Sequence, residues 1–272
     1  MSRILLAGYG ALAQQLAALR IAKKDDVIGI KRQKIDSKIP LIYLDLSITK
    51  QLTAIPDRLD YVVITLSPDE MTDESYQKHY YESVNNLMRY LSKQETQPYV
   101  IYVSSTRVYG QCKGEWIDEE SETQPTSRKG QILLETENLL STYENSTIVR
   151  FSGIYGNTRD RLIKKIQKGS GLQATPKLYT NRIHEDDCVG ILSFLIDEHA
   201  NQKELKSLYL CSDHSPTPLY EVGKWIAKQY KVPTPKVLQL ETNNQGKRCR
   251  NQKILQQGYR FKYPTFKEGY LA

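Results

Sequence analysis

Four cysteines in 272 residues, Cys112, Cys188, Cys211 and Cys249, are too few and too scattered for a disulfide framework. None stands in a Cys-x-x-Cys pair or at ligand spacing to a histidine, so no metal site is expected. Reduced thiols suit a cytoplasmic protein. Long apolar runs are also missing. A bilayer-spanning helix needs roughly 20 such residues, and the opening "MSRILLAGYGALAQQL" is broken by glycines and glutamines before it can form a secretory segment. No membrane partner is expected. The net charge of +7 is spread along the chain and diluted by acids, with no aromatic–basic strip of the kind that binds single strands. This excess attracts anions in general. A small anionic molecule is therefore a better expectation than nucleic acid.

What is present is an alternation. "RILLAG", "DVIGI", "PLIYLDL", "LDYVVITLSP", "YVIYVSST" and "STIVRFSGIYG" read as strands. Between them lie helix-length stretches such as "ALAQQLAALRIAKK" and "QILLETENLLSTY". In "SYQKHYYESVNNLMRYLSKQ", Tyr80, Val84, Leu87, Met88 and Leu91 mark one face of a long helix. Strands alternating with helices predict an α/β fold with a doubly wound parallel sheet. After Gly156 the pattern loosens. A helix over "EDDCVGILSFLIDEH", a strand at "SLYLCS" and a helix after "PTP" precede a polar tail. The expected organisation is a Rossmann-type core over residues 1–156. Residues 157–272 would complete the sheet and form a small C-terminal, substrate-side cap.

The first strand runs straight into "AGYGALA". Gly8-x-Gly10-x-x-Ala13 has the spacing at which one glycine allows a tight turn and the next lets the backbone approach a pyrophosphate. The small third residue lets helix and strand pack closely. Ala11 and Leu12 would open the helix whose N–H groups face the phosphates. At the end of the second strand an acid would accept from ribose hydroxyls, but Lys31 and Arg32 stand there, which suits a 2′-phosphate. The expected cofactor is NADP, with NAD the alternative. Asp45, after the third strand, would meet the adenine amino group. Leu66 and Ser67, after the fourth, complete the expected cofactor-binding set.

"VSSTRVYG" (103–110), "VRFSGIYG" (149–156) and "NRIHEDD" (181–187), in this order behind the glycine loop, resemble the extended short-chain dehydrogenase/reductases. This is the family of NAD-dependent epimerases and dehydratases. The resemblance implies an NAD(P)-binding domain with substrate held against a smaller C-terminal region. It also implies a Ser/Thr, Tyr and Lys that share the acid–base work, and a homodimer as the usual assembly. Ser105 supplies the hydroxyl. The Tyr-x-x-x-Lys pair is missing from "TSRKGQILLETENLL": counting back from Glu135 reaches Gln131 and Ser127, and a slip of a residue or two recruits only Lys129. Glutamine carries no positive charge, and a serine hydroxyl is too weak an acid to replace a phenol. The pattern resembles the atypical members, short bacterial NAD(P)-binding proteins that keep the glycine loop and lose this pair.

Ser105 and Tyr109 are the catalytic candidates, Tyr109 as a substitute acid. Arg182 and His184 are the substrate-binding candidates. Asp186 and Asp187 would cap the following helix. The leading expectation is an NAD(P)-dependent oxidoreductase or epimerase-like enzyme acting on a small polar or anionic metabolite. The alternative is a catalytically silent NADP(H)-binding regulatory or partner-binding protein.

Overall fold

The computed structural model describes residues 1–157 and 159–272, which divide into two compact units. The first comprises 1–109, 123–150 and 189–209; the second comprises 110–122, 151–188 and 210–272. The division is thus discontinuous along the chain, unlike a single cut after Gly156.

The first unit is organised by strands β1 (Arg3–Ala7), β2 (Asp26–Lys31), β3 (Leu41–Tyr43), β4 (Tyr61–Ile64) and β5 (Tyr99–Ser105). With Ser146–Phe151 and Leu208–Cys211 they form a seven-stranded sheet in the order Leu208–Cys211, Ser146–Phe151, β5, β4, β1, β2, β3. The β1–β2, β1–β4, β2–β3 and β4–β5 pairs are all parallel. Ile4 to Ala7 and Val62 to Ile64 are fully buried, as unbroken apolar runs at the centre of a parallel sheet must be. Gly29 allows close packing within this unit, since a Cβ there would lie 2.6 Å from the Leu41 side chain. The fold expected from the alternation is the one observed.

Helix α1 (Ala11–Ala22) buries Leu12, Ala13, Leu16, Ala17 and Arg20. The long helix expected around residue 80 is broken into three pieces: α2 (Asp73–Tyr76), a π-helical stretch Gln77–Glu82 and α3 (Ser83–Leu91). Val84, Leu87, Met88 and Leu91 face the core as expected. The wider π turn resets the phase before them, so Tyr76 and His79 are the buried residues there and Tyr80 is only partly covered. Helix α4 (Arg128–Leu140) follows.

The second unit contains a four-stranded sheet ordered Thr217–Pro218, Tyr179–Thr180, Gly246–Cys249, Lys113–Ile117. The polar tail is therefore more regular than its composition suggests. Gly246 takes φ +67° with its Cα so close to the Tyr179 carbonyl that a Cβ would lie 2.1 Å from it. A separate apolar cluster joins Ile166, Leu172, Val222, Ile226, Ala227 and Phe266. Among the described residues no helix is long and apolar enough to cross a membrane.

Candidate functional site: a glycine-loop cavity

β1 ends at Ala7, and the next residue, Gly8, turns the chain sharply with a φ of +95°. A Cβ on Gly8 would sit 3.0 Å from the Leu66 backbone nitrogen, so the loop lies directly against the end of β4. The turn is fixed by Tyr9 N–H donating to Ile30 O (2.8 Å) and Thr65 Oγ1 donating to Gly8 O (2.8 Å). Gly10 caps α1 in extended conformation with no side-chain hydrogen bond, and a Cβ on it would meet nothing within 4 Å. The N–H groups of the first turn have no intrahelical acceptor and carry the positive end of the helix dipole. They offer an anion a cradle without steric obstruction.

Beside this loop lies a cavity of about 270 Å³. Of the expected cofactor residues, Gly8, Gly10, Lys31, Arg32, Asp45, Leu66 and Ser67 line it; Ala11 and Leu12 open α1 immediately behind. Whole small-molecule pockets run to about 300–1,000 Å³, so this volume suits one half of a dinucleotide. The residues fit that half: apolar walls from Ile30, Leu44, Leu46 and Leu66, and a basic rim. The Lys31 ammonium donates to Tyr9 O at 3.1 Å. Asp45 accepts from Ser47 N–H and Oγ–H at 2.9 and 2.7 Å and pairs with Lys78 at 3.3 Å. Burial pushes its pKa up, but these donors outweigh burial and hold it below the usual range. Arg32 closes on Asp69, and His79 from the π-helical stretch meets the same carboxylate at 3.1 Å. Asp69 and His79 have no sequence signal of their own. A π turn leaves no periodic trace, and Asp69 stands outside any motif.

At the end of β5, Ser105 is partly exposed and its Oγ accepts from Arg107 N–H at 3.2 Å, capping a short 3₁₀ turn. Tyr109 is only 2 % exposed. Its hydroxyl accepts from Arg150 Nη1 at 2.6 Å, with the guanidinium carbon 4.8 Å from the ring centre. Arg150 in turn chelates Glu137, which also accepts from Ser104 Oγ at 2.5 Å. Burial lowers the Arg150 pKa, yet the Glu137 contacts override it and the net shift is upward. This network distinguishes the two glutamates of α4. Glu137 is the buried carboxylate; Glu135 lies on the outer face, paired with Arg128 at 2.6 Å. Counting back from Glu137 puts Leu133, buried and aliphatic, where a lysine would stand, and Lys129 where a tyrosine would. Ser127 serves instead as the N-cap of α4, accepting from Gly130 N–H at 3.2 Å. The sequence does not announce the Glu137–Arg150 pairing, because Glu135 and Glu137 are alike in it; only the buried spacing of Leu133, Thr136, Glu137 and Leu140 separates them.

The substrate candidates lie in the second unit. Arg182 is buried and held by Thr180, with Nη2 donating to Oγ1 at 2.7 Å and Nη1 to the carbonyl at 3.3 Å. His184 is 1 % exposed; Nδ1 accepts from Asp186 N–H at 3.2 Å, Nε2 has no partner, and burial pushes its pKa down, favouring the neutral ring. Two more polar atoms of this unit have no hydrogen-bond partner: Tyr155 Oη, whose ring packs edge-on against His184 with centroids 5.2 Å apart, and Asp213 Oδ2. Asp186 and Asp187 do something other than the expected capping. Asp187 accepts from Tyr259 Oη (2.9 Å) and from the N–H groups of Lys262 (2.7 Å) and Tyr263 (3.0 Å), while Asp186 pairs with Lys262 at 2.7 Å. They tether the C-terminal tail. Among the described residues no group of three or more His, Cys, Asp or Glu is placed to hold a metal.

The family described as the RmlD substrate binding domain matches residues 2–255. Among solved structures, a protein of Methylobacillus flagellatus classed with the NAD-dependent epimerase/dehydratases shares 31% identity at a TM-score of 0.84, covering 99% of this chain and 96% of that one. The human epimerase family protein SDR39U1, solved with NADPH, superposes at 0.81 with 15% identity over 98% and 97% of the two chains. MoeE5, solved with UDP-glucose and NAD, superposes at 0.80 with 16% identity over 99% and 96%. These last two likenesses concern the fold. A comparison with curated proteins returned no match.

Proposed function

The chain belongs to the family of the RmlD substrate binding domain, and from that membership we propose that it binds NAD(P) and works as an oxidoreductase or epimerase-like protein of the atypical short-chain dehydrogenase type. The observation that carries this reading is the open approach above Gly10, at the start of α1 where no side chain makes a capping hydrogen bond, beside a cavity with apolar walls and a basic rim. Relatives solved with NADPH and with NAD support a nicotinamide dinucleotide. Lys31 and Arg32 at the end of β2 favour NADP over NAD.

A bound nicotinamide would supply hydride transfer to or from a carbon. The chain's own share is positioning and proton handling. The first turn of α1 holds phosphate, Asp45 accepts from the adenine amino group, and Leu66 and Ser67 line the path along β4. Ser105, whose Oγ is partly exposed, orients a substrate oxygen. Arg182 and His184 are proposed to contact a small polar or anionic substrate. Tyr109 is assigned to the fold rather than to proton transfer, because its hydroxyl is buried on Arg150. Proton exchange then falls to solvent, with the Ser105 hydroxyl orienting the oxygen that takes or gives the proton. The protein acts as a soluble cytoplasmic homodimer in this reading.

The test is fluorescence titration with NADPH and NADH, followed by stopped-flow oxidation of the bound reduced cofactor by a panel of small aldehydes, ketones and keto-sugars. Binding with oxidation by a panel member is the expected result. Failure to bind either cofactor overturns the proposal. One observation favours a second reading, a cofactor-binding protein without turnover: whether the count runs back from Glu135 or from the buried Glu137, neither a lysine nor a tyrosine falls at its place in the usual pair. Tight binding with no oxidation across the panel selects that reading.

A further inference from the structure

Arg32 and His79 converge on a single carboxylate. Asp69 lies in the segment between β4 and α2, and its two oxygens face Arg32 in a two-pronged pair. Arg32 Nη1 donates to Oδ2 at 2.6 Å, and Nη2 makes the companion contact to Oδ1. His79 Nε2 stands 3.1 Å from the same Oδ2 and 3.5 Å from Arg32 Nη1. All three residues line the cavity beside Gly8 and Gly10. His79 is buried, while the Asp69 side chain is about half exposed, with solvent rather than packed side chains on its outer side.

A guanidinium presenting two parallel N–H groups, with an imidazole at the third corner, is a donor set for a phosphate monoester as much as for a carboxylate. Both anions cannot use it at once. Arg32 holds the Asp69 pKa down to about 2, through its hydrogen bond first and its charge after partial desolvation, so the carboxylate competes as an anion throughout the neutral range. NADP carries a phosphate on the adenosine 2′-oxygen; NAD carries a hydroxyl there, which can donate to a carboxylate.

We propose that Asp69 occupies the seat of the adenosine 2′-phosphate and is the residue that sets discrimination between NADP and NAD. This rests on reading the cavity as the adenosine half of the cofactor site. NADP(H) binds by displacing Asp69 from Arg32 and His79. NAD(H) leaves the Arg32–Asp69 pair closed and donates its 2′-hydroxyl to it. The acid missing from the end of β2 is thus supplied from the segment after β4, and it moderates the NADP preference that Lys31 and Arg32 would give alone.

The experiment is calorimetric titration of the full chain with NADPH, NADH, adenosine 2′,5′-bisphosphate and 5′-AMP. The last two differ only in the 2′-phosphate and contain no nicotinamide. Wild type, Asp69→Asn and the Asp69→Asn/Arg32→Ala double variant are compared, with thermal melts to confirm folding; Asp69 is exposed enough that its loss leaves the core untouched. Asp69→Asn should tighten NADPH and the bisphosphate about tenfold, the ratio that ~1.4 kcal/mol represents. It should leave NADH and 5′-AMP unchanged or weaker, and Arg32→Ala should abolish the gain. Equal changes for both members of each pair, or none, overturn the role of Asp69 and leave the cofactor reading standing. Failure of all four molecules to bind either wild type or Asp69→Asn overturns both.

Discussion

Arg150 closes on Glu137 through three hydrogen bonds inside the first unit: Nε reaches Oε1 at 3.0 Å and Oε2 at 3.1 Å, and Nη2 reaches Oε2 at 2.6 Å. Both side chains are almost wholly buried. Ser104 and Tyr109 satisfy what the pair leaves over. Removing one partner strands a buried charge, which typically costs about 3–5 kcal/mol. Arg150→Met and Glu137→Leu should each unfold the protein at much lower urea concentration. The double variant, with no charge left to strand, should recover part of the loss. Additive losses in the cycle would show that the pair contributes no coupling.

Tyr109 and Ser105 separate in the same way. Tyr109→Phe deletes the acceptor of Arg150 Nη1 in a buried network, so a stability loss of about 1–3 kcal/mol is expected. Any turnover should persist with an unchanged pH profile. Ser105→Ala removes only the cap of a short 3₁₀ turn at a partly exposed position. It should unfold within about 1 kcal/mol of wild type while losing most of the oxidation of bound NADPH. A pH–rate profile displaced by Tyr109→Phe would return that phenol to the chemistry.

The two loop glycines offer a sharper separation of folding from binding. Gly8 has φ +95° with the Leu66 backbone against its Cα, so Gly8→Ala should destabilise by about 1–2 kcal/mol, the cost of forcing an L-residue into that region. Gly10 is extended and faces open space. Gly10→Val should therefore cost no more than about 1 kcal/mol of stability, the penalty of a poor N-cap residue, while weakening NADPH at least about tenfold, because the new methyl groups fill the approach to the helix N-terminus. Unchanged NADPH affinity in Gly10→Val would place the pyrophosphate elsewhere.

The sheet and the glycine loop were legible because they depend on local pattern. An unbroken apolar run such as Ile4–Ala7 can only be a buried strand when a glycine turn and a helix come directly after it. Gly8 and Gly10 carry their reason in their spacing. The features that stayed hidden depend on phase or on long-range pairing. The π stretch at 77–82 rotates His79 inward, and nothing in "SYQKHYYE" announces an extra residue per turn. Glu135 and Glu137 are indistinguishable until Arg150, 13 residues from Glu137, selects one of them. Asp186 and Asp187 looked like caps because the helix beside them is visible in the sequence, whereas the tail near Lys262 that they hold is distant along the chain. Asp69 needed the fold to bring it to Arg32, 37 positions earlier.

Asp213 in the second unit gives stability a definite pH dependence. It is 1 % exposed; Oδ1 accepts from Ser215 N–H at 2.9 Å, and Oδ2 has no partner. Burial raises its pKa to about 7, against the smaller opposing pull of the Ser215 N–H and the Arg182 charge. The native state therefore binds a proton more tightly than the unfolded chain, whose carboxyl titrates at the ordinary aspartate value of 3.8. Stability from this group is intact below that value, falls as pH rises toward about 7, and is flat above it. Asp186, paired with Lys262, and Asp197, paired with Lys23 and Arg20, are pushed up by partial burial but held below the usual range by those cations; they act with the opposite sign and lose stability as pH falls. The difference between wild type and Asp213→Asn isolates the first effect. Urea unfolding at pH 5 and pH 8 should show Asp213→Asn gaining on wild type at the higher pH, by an amount on the order of a few kcal/mol. Equal differences at the two pH values would mean that Asp213 titrates alike in the folded and unfolded chains.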